Sequence, residues 1–236
     1  MDKFFISLDS APERSETFLR LNAHVPDIVP FKGLDAATVD VAAMQQAGLV
    51  EQTCTFSPAA LANALNHVSL WGTVMRSGTG AYVFDDRAVL CRNFADASKE
   101  IIEKLPSNWD LICWDWAGDN VMQYELLPGV THATTMYFQD SVQKHVTDFN
   151  KVGVASLPFR LVQMFGFGNY AISPSGAAKL IKSCLPLNTE EVLHYCLGGQ
   201  MLEATDLSIL LNRHYMDIGA FVSVPPLSLS DMSAPV

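Results

Sequence analysis

The chain has 236 residues, 49% of them hydrophobic and 17% charged, with a formal net charge of -10. That balance supports a full core and excludes an intrinsically disordered chain. The acidity disfavours nucleic acid as a partner, and no Lys/Arg cluster marks a face for an anionic lipid surface.

No basic segment followed by an apolar one opens the chain, so no signal peptide is expected. No apolar run approaches the roughly 20 residues of a membrane helix. Cys54, Cys91, Cys113, Cys184 and Cys196 are odd in number and contain no C-x-x-C pair. They predict free thiols in a reducing cytoplasm rather than a disulfide framework or a zinc knuckle.

Residues 4–8 read as an opening strand, 14–21 as a helix after the turn at Asp9 to Pro12, and 28–31 as a second strand. This is a βαβ opening and predicts an α/β fold. Ser57-Pro58 starts a long helix, Ser as N-cap and Pro at the first helical position. Leu61, Leu65, Val68, Trp71 and Met75 follow on one apolar stripe, and Gly78 and Gly80 end it. Residues 81–86, Ala-Tyr-Val-Phe-Asp-Asp, read as a buried strand ending in two carboxylates. A helix is expected over 94–105 and a strand over 110–114, ending in Asp115. Residues 121–154 show no clear period and suggest functional loops. A strand at 168–173, a turn at 174–176 and a short helix at 177–182 follow. Thr189-Glu190-Glu191 suggests a helix start, 206–211 a further helix, and Pro225-Pro226 onward an extended surface tail.

Ligands of α/β domains gather beyond the carboxyl ends of strands. Asp85 and Asp86 there repel each other unless a cation lies between them or one protonates. A divalent metal carrying a sugar-nucleotide diphosphate suits such oxygen ligands, while Asp-Asp is also a common way for a strand to turn into solvent. Arg14 past the first strand is placed to meet a diphosphate, or to be a solvated helix arginine. His67 lies near the edge of the apolar stripe, as a catalyst or a partly buried structural group. Asp206 and His214, about two helical turns apart, are candidate metal ligands or surface groups. Trp114-Asp115-Trp116 offers a sugar platform or core packing. G-x-G-x-x-G, Walker A and G-x-S-x-G signatures are absent from the sequence.

In order and spacing, three blocks resemble glycosyltransferase family 25 of lipooligosaccharide synthesis. The first is Phe5-Ile6-Ser7-Leu8-Asp9-Ser10-Ala11-Pro12-Glu13-Arg14 followed by Phe31-Lys32-Gly33-Leu34-Asp35-Ala36. The second is Asn66-His67-Val68-Ser69-Leu70-Trp71, then Tyr82-Val83-Phe84-Asp85-Asp86. The third is Gly168-Asn169-Tyr170-Ala171-Ile172-Ser173-Pro174-Ser175-Gly176-Ala177-Ala178-Lys179-Leu180, then Asp206, then Pro225-Pro226-Leu227.

The resemblance implies one domain over 1–236 with a GT-A-like mixed central sheet flanked by helices. It further implies a UDP-sugar donor, often UDP-galactose, a saccharide acceptor, free or lipid-linked, Mn2+ or Mg2+, and inversion at the anomeric carbon. The setting it implies is bacterial surface-glycan synthesis in the cytoplasm, with peripheral contact at the inner membrane face. Residue by residue, Asp86 becomes the metal ligand, with His214 as a candidate partner. Leu8, Arg14, Asp35 and Asp85 would line the nucleotide pocket. Asp206 is the first candidate base, with Asp115 and His67 as further catalytic candidates. The chain departs from the family pattern at Phe84, where the family has Glu, at Asn66 for Ser, and at Ala62-Asn63 for Gly-Cys. The loss at Phe84 motivates a second reading, a catalytically silent nucleotide-sugar or glycan-binding relative. A glycoside hydrolase using two carboxylates is a third.

Overall fold

The computed structural model describes residues 1–116 and 121–233. The chain opens with β1 (Asp2–Ser7), α1 (Pro12–Leu21) and β2 (Ile28–Lys32), the expected βαβ unit. Then come α2 (Val41–Gln46), α3 (Pro58–Ser77), β3 (Ala81–Phe84), β4 (Ala88–Leu90) and α4 (Phe94–Lys104). β5 (Leu111–Cys113), β6 (Asp115–Trp116), β7 (Val121–Leu127), β8 (Thr131–Met136), α5 (Gln139–His145) and β9 (Leu157–Met164) form the middle. The rest is β10 (Tyr170–Ile172), α6 (Pro174–Cys184), β11 (Glu191–His194), β12 (Gln200–Glu203), α7 (Leu207–Leu211), β13 (Ala220–Val224) and β14 (Ser228–Ser230).

Nine strands form one mixed sheet in the order β2-β1-β3-β10-β5-β13-β9-β7-β8. β1 is parallel to β2 and to β3, and β5 is parallel to β13, while β10 runs antiparallel between β3 and β5. The strand side chains alternate between two cores, as a pleated sheet requires. Ile6, Val83, Cys113, Tyr170 and Val222 face α3, α6 and α7. Phe5, Tyr82, Phe84, Ile112 and Trp114 face α1 and α4. This is the α/β class with a mixed central sheet flanked by helices.

Local signals account for α3. Ser57 Oγ accepts from the Ala60 amide at 3.2 Å, and Gly78 closes the helix in the left-handed region at φ +69°. Leu61, Leu65 and Trp71 are buried, whereas Met75 at the far end is 45% exposed.

Elsewhere the fold departs from the sequence expectations. Within 121–154 the described residues hold the β7–β8 hairpin and α5. Met122 and Tyr124 alternate inward along β7, but the polar β8 hides the period. Pro174 to Gly176 is not a turn but the first turn of α6, capped by Ser173 Oγ on the Gly176 amide at 3.0 Å. Thr189-Glu190-Glu191 starts no helix: Val192 and His194 are buried on alternate positions of β11, which pairs with β12. The extended tail does not drape over the surface, because β14 is a buried strand between β4 and β6. All five cysteines are free. Among the described residues no helix is long and apolar enough to cross a membrane.

Candidate active site

β1, β3 and β5 run in the same direction, so Leu8, Asp85 and Asp115 follow the carboxyl ends of neighbouring strands. An open cavity of about 750 Å³ lies at this edge. Leu8, Ser10 and Arg14 from the β1–α1 segment, Leu34 and Asp35 after β2, Ala62, Asn63 and Asn66 of α3, and Asp85, Asp86 and Arg87 line it. The structure thus brings together Leu8, Arg14, Asp35, Asp85 and Asp86, residues far apart in the chain. Arg87 on the same wall was not singled out in the sequence, and Asn63 only as a departure from the family pattern.

Asn66 explains part of this wall. Its Oδ1 accepts from the Leu34 amide at 2.6 Å and its Nδ2 donates to the Leu34 carbonyl at 3.2 Å. This two-point clamp ties the segment after β2 to α3. A Cβ at Gly33 beside it would lie 2.8 Å from Leu8 Cδ2 and 2.9 Å from Ile6 Cγ2, so those side chains would have to shift. Ser10 Oγ donates to Asp35, joining the two loops across the cavity.

Asp86 is 7% exposed and pairs with Arg14, whose Nε lies 3.1 Å from Asp86 Oδ2. Burial first, and the neighbouring Asp85 second, push the Asp86 carboxyl up to about 7, against the pull of Arg14 and Arg87. Asp85 is half-buried, and its amide donates to Asn169 Oδ1 at 3.0 Å. Two adjacent carboxylates on a cavity wall are hard oxygen ligands, as Mn2+ or Mg2+ prefers. Among the described residues no group of three or more His, Cys, Asp or Glu could hold a metal, so at this edge the protein offers only the pair.

The remaining candidates lie off the cavity wall. His67 is buried: its Nδ1 lies 3.0 Å from the Tyr170 hydroxyl, which also accepts from Trp71 Nε1 at 2.9 Å. Burial holds the imidazole down at about 4, so it is neutral. Asp206 is the N-cap of α7, its Oδ1 accepting from the Ile209 amide at 3.0 Å and from Ser208 Oγ at 2.7 Å. His214 lies in the turn before β13, and β13 runs in the same direction as β3. It therefore sits at the opposite end of the sheet from Asp86, and burial lowers its pKa.

Asp115 reaches the correct edge but is only 1% exposed. Its Oδ2 accepts from Asn169 Nδ2 at 2.8 Å and Ser230 Oγ at 3.2 Å, and burial pushes the carboxyl up to about 7. Trp114 is fully buried, so it packs the core rather than offering a sugar platform.

A model of glycosyltransferase family 25 (LPS biosynthesis protein) matches residues 1–193. No curated protein matches the chain in sequence. Among solved structures, an active-site mutant of LgtC aligns with 94% of this chain and 72% of its own length. Its identity is 12% and its TM-score 0.40, a likeness too loose to carry an argument. The family match covers most of the chain and includes Leu8, Arg14, Asp35, Asp85 and Asp86, the residues gathered around the cavity. The chain belongs to glycosyltransferase family 25.

Proposed function

We propose that the protein is a single-domain, GT-A-like hexosyltransferase that moves galactose from UDP-galactose to a saccharide acceptor, with inversion, in bacterial surface-glycan synthesis. The observation that carries this is the cavity itself. It is open, of a size suited to a small-molecule substrate, and lined by paired carboxylates and two guanidiniums at the carboxyl ends of parallel strands. Family membership supplies the reaction class.

Arg14 and Arg87 face the donor diphosphate as charge-assisted hydrogen-bond donors. Asp35, held by Ser10, offers a carboxylate to the ribose hydroxyls, and Leu8 and Ala62 give an apolar wall. Asp85 and Asp86 would hold Mn2+ or Mg2+. When bound, the cation neutralises the charge that develops on the leaving diphosphate. The attacking hydroxyl gives its proton to a carboxylate facing the cleft. Asp206, Asp115 and His67, the candidates for that step, make other contacts in this fold and do not line the cavity. The acceptor is a saccharide, free or lipid-linked, and the enzyme acts at the cytoplasmic face of the inner membrane.

Calorimetry with UDP, with and without manganese, tests the reading. UDP should bind more tightly with metal, manganese alone should bind weakly, and UDP-galactose should be hydrolysed slowly without acceptor. Asp86→Asn should fold and lose the metal-dependent part of UDP binding. Unchanged UDP binding in that variant refutes the metal assignment. UDP binding with no turnover of any UDP-sugar would instead mark a silent relative.

A further inference from the structure

Beneath the Asp85–Asp86 turn lies a buried polar knot drawn from four distant parts of the chain. Asn169, only 1% exposed, uses both ends of its amide. Oδ1 accepts from the Asp85 amide at 3.0 Å, while Nδ2 donates to Asp115 Oδ2 at 2.8 Å and lies 3.3 Å from Ser230 Oγ. Ser230 Oγ in turn donates to Asp115 Oδ2 at 3.2 Å. The Asn169 carbonyl accepts from the Trp114 amide at 2.8 Å, so its backbone is fixed as well. One residue further on, the Asp231 amide donates to the Arg87 carbonyl at 2.9 Å.

The main chain of the carboxylate turn is therefore held on both sides. Asn169 holds it at Asp85, and the last strand holds it at Arg87. A Cβ at Gly168 would stand 3.5 Å from Asp85 Cβ and 3.4 Å from Asp115 Oδ2, so the knot is in close contact with the turn. Asp115 presents only acceptors when ionised, and the side chains of Asn169 and Ser230 supply its donors. Ser230 lies outside residues 1–193, the part of the chain that the family model matches.

We infer that Asn169 is a positioning residue for Asp85 and Asp86, and that Ser230 of the last strand is its partner in holding Asp115. Asn169, Asp115 and Ser230 do not line the cavity, so their effect on the reaction runs through the turn. A buried amide that bonds at both ends has one rotamer and one flip that satisfy all its partners. Breaking it frees the Asp85 amide, and displacements of about 1 Å at a reacting centre cost up to roughly a hundredfold in rate. The catalytic part of this inference rests on the donor reading proposed above, whereas the clamp itself does not.

The experiment compares the full-length wild type with Asn169→Ala, Asn169→Asp, Ser230→Ala and Ser230→Thr. Turnover of UDP-galactose, calorimetric UDP affinity with manganese, and amide exchange over residues 84–88 are measured together. Asn169→Ala should lose protection at the Asp85 amide and about tenfold or more in kcat, with UDP affinity changed much less. Asn169→Asp keeps the acceptor for that amide and should keep its protection while disturbing Asp115. Ser230→Ala should lower kcat, and Ser230→Thr, which restores the hydroxyl, should recover it. A merely structural role would lower thermal stability and leave the kcat of the folded fraction unchanged, and that result overturns the inference. If Asn169→Ala does not fold, Ser230→Ala against Ser230→Thr decides. If the wild type turns over no UDP-galactose, the donor reading fails, and exchange at Asp85 still decides the clamp: unchanged protection at the Asp85 amide in Asn169→Ala refutes it.

Discussion

Restoring the family's acidic residue at position 84 should break the protein rather than improve its metal site. Phe84 is fully buried on the α1/α4 side of the sheet. Its ring centroid lies 5.5 Å from that of Phe94, 6.2 Å from Phe18 and 6.3 Å from Tyr82. Strand alternation puts Val83 on the other face, so a side chain at 84 points into the aromatic core and away from the cavity. Phe84→Glu would remove packing worth roughly 3–5 kcal/mol. It would also bury a carboxyl with no partner, at a cost of several kcal/mol more unless it protonates. Against a total stability of about 5–15 kcal/mol, that loss leaves little or no folded protein at neutral pH. Phe84→Leu keeps the site apolar and should cost only about 1–2 kcal/mol, which separates charge from volume. Urea unfolding at pH 5 and pH 8 gives the comparison, with the glutamate variant recovering part of its loss at the lower pH. A Phe84→Glu protein as stable as wild type at pH 8, or one that binds manganese more tightly, would show that the side chain reaches the cleft and would refute this reasoning.

Two further predictions concern the other buried or capping carboxylates. Asp115, carried from 3.8 up to about 7 by burial, holds its proton longer in the folded state than in the unfolded one. Its contribution is therefore full below about pH 4 and is lost as pH rises through about 7, at most roughly 4 kcal/mol in all. Asp115→Asn should flatten that decline, so the variant gains on the wild type between pH 5 and pH 8 in urea unfolding. An equal slope in both proteins would remove Asp115 as its source. Asp206→Ala should cost about 1 kcal/mol through the lost α7 cap and leave kcat with UDP-galactose within about twofold. A loss of kcat larger than a hundredfold in a folded Asp206→Ala protein would restore it as the base.

The elements readable in the sequence are those whose signals are local. Ser57-Pro58 and Gly78 bracket α3 whatever surrounds it, and Tyr82-Val83-Phe84 is a buried run that ends where two aspartates must meet solvent or a ligand. The acidic turn, the βαβ opening and Arg14 beside it were therefore legible, and so was the family. β8, with polar residues on both faces, and β11, which opens on Glu191 directly after Glu190, are strands because of their partners β7 and β12. Their own residues leave the choice between helix, loop and strand open. The same holds for single side chains. Asp206 and His214 are spaced to cooperate, yet one caps a helix and the other lies at the far end of the sheet, because chain direction is set by strand pairing and not by spacing. Asn169 lies 84 residues from the Asp85 amide it holds, and Ser230 lies 115 residues from Asp115. Residue chemistry determined what the site could contain, and only the packing of the sheet decided which of those groups reach the cavity and which support it from below.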